Sequence, residues 1–529
     1  MRKSTDKNYL EEIKGFYKSF DEKCETLIGK DYSKRIHPFN KKVRDKLEKI
    51  QLRSDNEFEL YQYLNDIKEL WTILIENSII CLRYYDTREP FIPKDGKTTN
   101  KEPYAYGVTE LKNYFDRYIE FETVLYGSSS YYRDHVIHVF RVWLLGLRQL
   151  LCNNCEYLER IKIENGYKIN YLEKLSVWTI IALTHDLGYP LQKSLEVIDK
   201  TRVMMKSFVE NPIVMMDLSF SGVQNSMNDY VLRFISSKMR EIDTTTGLLK
   251  DIKDEEKAAK AEECSDEDFS KKRYVARLQP KYYFKFQKSL EHNQHGILSA
   301  LIIYKLLLYF LESDYSINED YVFKPEDTRQ FYLRREILRS IASHTCKDIY
   351  QLELNNFSFL LQLCDDAQEW GRKNISELYV DSLVDYDFDG ITMSFSDTEN
   401  SKVSIKESYE LSDINAAQSV LDGFFKQSTT YRDVFRDGQE TMLRNFDFEK
   451  CDVIKITKGA NKITYKIKLQ ITSKKQTQIT LSNDDGEIKS DDSFLKATRE
   501  SFKKTFDQKM LDEYVTSKKI KKTVSFTLP

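Results

Sequence analysis

Proline and glycine are scarce in this chain, at 9 and 17 of its 529 residues. That scarcity excludes a collagenous repeat or a flexible low-complexity protein, since both need those residues in quantity. Nor is charge of one sign in excess: 81 Lys and Arg face 84 Asp and Glu, giving a net charge of −3 and a pI near 6.3. No global basic field therefore advertises nucleic acid or an anionic membrane as the default partner, although a local basic groove stays compatible with these totals. The longest apolar stretch, "ILSALIIYKLLLYFLE", falls short of a membrane span and carries Lys305. The opening "MRKSTDKNYLEEIKGF" has no apolar signal-peptide core. A soluble, cytoplasmic protein with no membrane partner is expected, its oligomeric state left open. Internal repeats and a G-x-x-x-x-G-K-[ST] phosphate loop are also missing.

Cysteine is sparse and scattered. Of the 8, only Cys152 and Cys155 in "LLCNNCEY" form a C-x-x-C pair. A zinc ribbon needs a second such pair, so these two are expected to be buried, reduced thiols on a helix.

What is abundant is core material, with 34 Tyr, 30 Phe and 41% hydrophobic residues. At roughly 150 residues per domain the length allows two to four domains. Residues 1–110 carry apolar positions at three- and four-residue spacing, as in "FELYQYLNDIKELWTILIENSIICLRYY", and read as a helical N-terminal region. Across 111–375 long segments such as "HVIHVFRVWLLGLRQLL" and "YLEKLSVWTIIALTHDL" are apolar nearly all round, which is the pattern of helices inside a bundle. A charged insertion at about 241–275 interrupts them and reads as solvent-exposed or mobile. From 376 to 529 apolar and polar residues alternate in "CDVIKITKG" and "NKITYKIKLQITSKKQTQITLS", with two helical pieces between. That is the period of half-buried strands, and "GAN" reads as a hairpin link. The fold class expected is mostly α, with a C-terminal α+β domain.

Histidine is the rarest informative residue. Of 7, six lie between positions 135 and 344: His135, His138, His185, His292, His295 and His344. Each sits on or at the end of a helix made of core residues. One histidine on an apolar face is ordinarily a satisfied core residue, but six concentrated in one domain suggest metal ligation. Neutral imidazole ligates metals, and carboxylates supply the offsetting negative charge. Positions three apart share a helix face, so His135/His138 and His292/His295 are same-face pairs. His185 and Asp186 are adjacent and cannot share a face of a regular helix. Gly188 just beyond them offers a turn that brings both toward one point.

The order "HVFRV" from His138, "HDLG" from His185, "HGILSA" from His295, "ASH" ending at His344 and "LQLCDD" with Asp365 resembles the HD superfamily of metal-dependent phosphohydrolases. The match covers about 111–375. The resemblance implies an HD-type helical bundle binding two divalent ions, manganese, iron or magnesium. One ion would be held by His138, His185, Asp186 and Asp365. The other would be held by His295 and His344, with Asp186 bridging and His185 and Asp186 forming the catalytic pair. Two such ions acidify a bridging water and neutralise charge on a phosphoryl oxygen. His135, His292, Arg133, Arg141 and Lys193 are the candidates for supporting a ligand or holding substrate phosphate.

The expected substrate is a nucleotide-like phosphate ester or phosphodiester. Alternatives are an HD-type nuclease on single-stranded nucleic acid, which the acidic pI does not favour, and a nucleotide-sensing protein without turnover. Departures from the family pattern leave the substrate open. Tyr189 stands where many relatives have Lys after H-D-x-G, "LQKSLEV" follows it, and the 200–290 insertion has no assigned chemistry.

Overall fold

The computed structural model describes residues 5–28, 41–53, 59–87, 107–128, 134–163, 169–194, 222–243, 245–250, 272–313, 315–372, 384–397, 399–435, 445–458, 461–472, 477–484, 488, 491–506 and 523–527. The described residues are mostly α, with two sheets among them. The chain's N-terminal two thirds form helices α1 (Asp6–Ile28), α2 (Leu64–Thr87), α3 (Val108–Ser128), α4 (Val136–Arg160), α5 (Tyr171–Thr184), α6 (Gly222–Ser236), α7 (Pro280–Glu291), α8 (His295–Leu306), α9 (Pro325–Ser343) and α10 (Phe357–Ala367). No helix among the described residues is long and apolar enough to cross a membrane.

The bundle is organised around α5. Asn170 caps its start by accepting from the Glu173 backbone N–H, while the Glu173 side chain accepts from the Asn170 N–H. Two orphan donors are thereby satisfied. From Val177 to Thr184 every residue of α5 is buried, because α2, α4 and α9 pack around it. Trp178 and Trp143 are fully buried where α4 meets α5, and Gly146 makes room for the Trp178 ring. A side chain at Gly146 would drive a carbon to 1.9 Å from that ring.

Two features of this region differ from the sequence reading. First, the bundle contains a small antiparallel sheet, β1 (Ser237–Ile242), β2 (Arg273–Leu278) and β3 (Val322–Phe323), in that order. β1 is buried at every second residue, a period of two too short to stand out beside a charged insertion. The interior of that insertion, 251–271, lies outside the described residues. Second, Cys152 and Cys155 are not on a regular helix. Asn153, Asn154 and Cys155 have φ of 49°, 59° and 66°, breaking α4 into a left-handed turn, and both thiols are only half-buried.

The C-terminal part is a six-stranded sheet in chain order: β4 (Val384–Ser394), β5 (Ser401–Leu411), β6 (Phe446–Lys458), β7 (Asn461–Ile471), β8 (Gln478–Asn483) and β9 (Thr523–Thr527). Only β5 and β6 run parallel, with α11 (Ala417–Phe435) between them in sequence, and α12 (Ser493–Thr505) packs beside α11. β6 and β7 pair antiparallel from Lys458↔Asn461, while Gly459 and Ala460 of "GAN" lie outside the described residues. The sheet is not separate from the bundle. Phe359 of α10 meets Phe435 at 5.4 Å and Phe446 at 4.7 Å, and Trp370 stacks on Phe388 at 4.9 Å. One apolar core runs through both parts.

Candidate metal centre

α5 ends at Thr184, and His185 keeps helical angles (φ −62°, ψ −32°) before the chain tightens through 186–188. The turn is closed by Leu187 N–H donating to Thr184 O (3.3 Å) and Tyr189 N–H to Asp186 O (2.9 Å). Gly188 serves this turn by permitting close approach rather than a left-handed angle. A Cβ there would lie 2.4 Å from the His295 carbonyl oxygen, and its N–H donates to Ser299 Oγ at 2.7 Å. The loop after α5 is thus pressed onto the start of α8. Gly296 acts likewise, since a Cβ would meet Thr345 Oγ1 at 2.6 Å and Ile341 O at 2.7 Å.

These contacts gather His138 from α4, His185 and Asp186 from the end of α5, His295 from the start of α8, His344 from the end of α9, and Asp365 from α10. Three overlapping groups each place their ligand atoms within 4.8 Å: His138, His185 and Asp186; His185, His344 and Asp365; Asp186, His295 and His344. Asp186 Oδ2 lies 3.7 Å from His138 Nε2. Its Oδ1 lies 3.6, 3.2 and 3.7 Å from Nε2 of His185, His295 and His344. Asp365 Oδ1 stands 2.9 Å from His138 Nε2 and 3.6 Å from His185 Nε2. Ligand atoms bound 2.0–2.2 Å from one ion stand roughly 3.0–3.5 Å apart, so the set is near ligating separation.

The tautomers are fixed from outside. His185 Nδ1 donates to Ala182 O (2.8 Å) and His344 Nδ1 to Ile341 O (2.6 Å). His138 Nδ1 donates to Gln368 Oε1 (2.5 Å) and His295 Nδ1 to Gln192 Oε1 (2.9 Å). Both glutamines can only present oxygen there. Gln368 Nε2 is used on Trp370 O at 2.6 Å, and Gln192 Oε1 also accepts from the His295 N–H at 2.9 Å. All four imidazoles therefore direct an Nε2 lone pair at Asp186 and Asp365, the arrangement by which outer partners aim metal ligands. Nε2 of His185 and of His344 is buried with no hydrogen-bond partner. Burying such groups without compensation is costly, and a cation supplies it. On that test the residues present fit a divalent metal.

Electrostatics agree with this. Burial works against charge on Asp186, but His185, His295 and His344 outweigh it and hold the carboxyl well below its usual range. Asp365 is likewise held low by His138 and His185 against its burial. Burial lowers His138 to about 4, with Arg372 adding to the effect and Asp365 opposing it. His185 is also buried, yet Asp186 and Asp365 raise it to about 9, so with no cation beside it Nε2 carries a proton, which ligation would displace to free the lone pair. Asp366, beside the ligand, is pushed up to about 8 by burial and by Asp365.

The remaining candidates fall elsewhere. His135 is buried and joins none of the ligand groups; its ring stacks on Tyr189 at 3.7 Å. His292 is exposed at the end of α7. Arg133 lies outside the described residues. Arg141 is not available to phosphate: it is fully buried, Nη2 donates to Asp6 Oδ2 at 2.7 Å, and Nη1 donates to Gly371 O at 3.0 Å. Lys193 is half-buried, with Nζ 5.3 Å from the Tyr189 ring, whose centre is 5.4 Å from that of His295. Gln192 and Gln368 went unread in the sequence. Glutamine carries no signal of its own, and each partner is brought in by tertiary closure. Compared with family models, curated proteins and solved structures, the chain matches none.

Proposed function

We propose that this chain is an HD-type phosphohydrolase that uses divalent metal to hydrolyse a phosphate ester or phosphodiester in a nucleotide-like substrate. The observation that carries the reading is the convergence of four Nε2 lone pairs and two carboxylates, with His185 and His344 left unpartnered. His138, His185, Asp186 and Asp365 would hold one ion, and Asp186, His295 and His344 a second. Asp186 serves both sets, with Oδ2 turned to His138 and Oδ1 to His185, His295 and His344. Divalent ions held this way supply Lewis acidity toward a phosphoryl oxygen and make water acidic enough to attack near neutral pH.

The protein's own groups do the rest. Asp186 and Asp365 keep the site anionic, and Gln192 and Gln368 fix the rings of His295 and His138. The side chains of His295 and Asp365 are each 20% exposed, against 0–5% for His138, His185, Asp186 and His344, so phosphate approaches from their side. Lys193 Nζ lies 5.3 Å from the Tyr189 ring beside His295, and the charge of Arg372 is felt at His138, so these two cations are the candidates to meet it.

The test is elemental analysis of protein purified without chelator, then a phosphoesterase panel with added manganese. Near two ions per chain, and turnover abolished by Asp186→Ala, are expected. Protein devoid of metal, or a variant with unchanged metal content, overturns the reading. Metal without turnover on any phosphoester would favour the sensing alternative.

A further inference from the structure

Helix α7, which ends four positions before His295, is largely exposed, and its composition is unusual. It reads "PKYYFKFQKSLE", with only Phe286 and Ser289 buried. Phe284 is 65% exposed, although an isolated phenyl ring gains nothing from water. Tyr350, on the loop that follows His344, is 38% exposed.

The helix and that loop form one surface. Lys285 Nζ donates to Asp348 O, Cys346 Sγ donates to Lys285 O at 3.7 Å, and Lys288 Nζ pairs with Asp348 at 3.0 Å. Rings and cations alternate across it. Lys285 Nζ lies 5.1 Å from the Tyr350 ring and 5.8 Å from the Tyr282 ring, and the Arg339 guanidinium sits 4.5 Å above Tyr282. Lys281 and Lys347 add exposed charge at its margins. Against these five cations stand Asp348 and Glu291, while Asp422 and Asp433 of α11 lie beside Lys347 together with Lys426 and Lys504, so the patch keeps a positive balance on a chain whose net charge is −3.

Its position ties it to the metal centre. The end of α7 is four positions before His295, and Tyr350 is six positions after His344. Six residues span at most about 20 Å, so the patch lies within a few nucleotides' reach of the ligands.

We propose that single-stranded nucleic acid binds across α7 and the 345–350 loop, its bases stacked on Phe284 and Tyr350 and its phosphates held by Lys281, Lys285 and Lys288. Exposed rings favour unpaired bases, because a duplex hides its base faces and would leave Phe284 in water. The interleaved lysines favour a phosphate backbone over an apolar protein partner. As a statement about substrate this rests on the phosphohydrolase reading; as a statement about binding it does not.

The experiment is fluorescence anisotropy of a labelled oligothymidylate of about 12 nucleotides with the full chain in excess chelator, so that metal and turnover play no part. Saturable binding that weakens with salt is expected. Phe284→Ala and Tyr350→Ala should each weaken it about tenfold, and Phe284→Trp should restore it. Lys281→Glu with Lys288→Glu should weaken it further and flatten the salt dependence. All four substituted positions are solvent-exposed, and circular dichroism checks that the variants stay folded. Three results overturn the proposal: no saturable binding, equal binding of duplex or heparin with both ring variants unchanged, or affinity untouched by every substitution. Oligonucleotide binding with no hydrolysis in manganese of either the oligonucleotide or any member of the phosphoester panel would sink the phosphohydrolase reading alone. Hydrolysis of mononucleotides without oligonucleotide binding would sink this proposal alone.

Discussion

Asp186 in the bundle and Lys450 in the C-terminal sheet are both charged and both buried, 4% and 0% exposed. Their surroundings differ in what is left over. Lys450 Nζ donates to Glu407 and, at 2.6 Å, to Asp452, and Tyr409 donates to Glu407 at 3.0 Å. Opposite charges there meet across neighbouring strands, and Asp452 Oδ2 is the one atom of the two carboxylates without a hydrogen bond. Around Asp186 every imidazole spends its Nδ1 proton outward and keeps a lone pair inward. A buried cluster that neutralises itself holds strands in register, while one that accumulates lone pairs waits for a cation. Four measurements can break or sharpen that contrast.

Asp186→Ala carries the largest expected effect. Bound metal should fall at least 100-fold in affinity and turnover at least 1000-fold, taking roughly the scale of a lost metal ligand. Its unfolding free energy in chelator should move less than that of the Lys450 variant. A variant that simply fails to fold would erase the contrast.

Lys450→Met should do the reverse. Leaving Glu407 and Asp452 buried without their cation costs about 3–5 kcal/mol, read by urea unfolding, with metal content unchanged in the folded fraction. Metal loss at neutral stability would be the contrary result.

Gln368→Leu comes next. Removing the acceptor that aims His138 should weaken metal binding about 10- to 100-fold, and Gln368→Glu, which keeps an oxygen there, should recover most of it. Calorimetry with manganese reads both, and equal losses in the two variants would make Gln368 a packing residue only.

The smallest effect is a pH slope. Burial raises Asp452 from 3.8 to about 7, against Lys450 and with Glu407 adding. Between those values the folded chain holds a proton that the unfolded chain has released. Stability therefore declines as pH climbs through the window, by at most roughly 4 kcal/mol. Urea unfolding from pH 4 to 8 should show that decline, and Asp452→Asn should flatten it.

The two clusters were not equally legible in the sequence. Histidine is rare enough that six in apolar helices stood out, and spacing with motif order singled out the positions that the structure now gathers. Asp365 rather than Asp366 could be chosen because it extends an apolar face. The Lys450 cluster was invisible, since Lys, Glu and Asp fill every polar strand position and only the register Glu407↔Asp452 brings these together. Arg141 was misread for the same reason: its partner, Asp6, lies 135 residues away. The Cys152–Cys155 turn escaped because nothing but backbone angles marks it. Periodicity reports burial, and residue type reports chemistry; neither reports which distant group closes a pair.

Contacts 227 and 230 residues apart, from His138 to Asp365 and to Gln368, also fix a timetable. The first ligand leaves the ribosome long before its partners exist, and the first helix waits for Trp370 to donate to Asp6. At 5–20 residues per second, some 370 residues take roughly 20–70 s. Until then the full set of side chains does not exist, so any ion that takes all of them would be loaded only after α10 and Gln368 have been made.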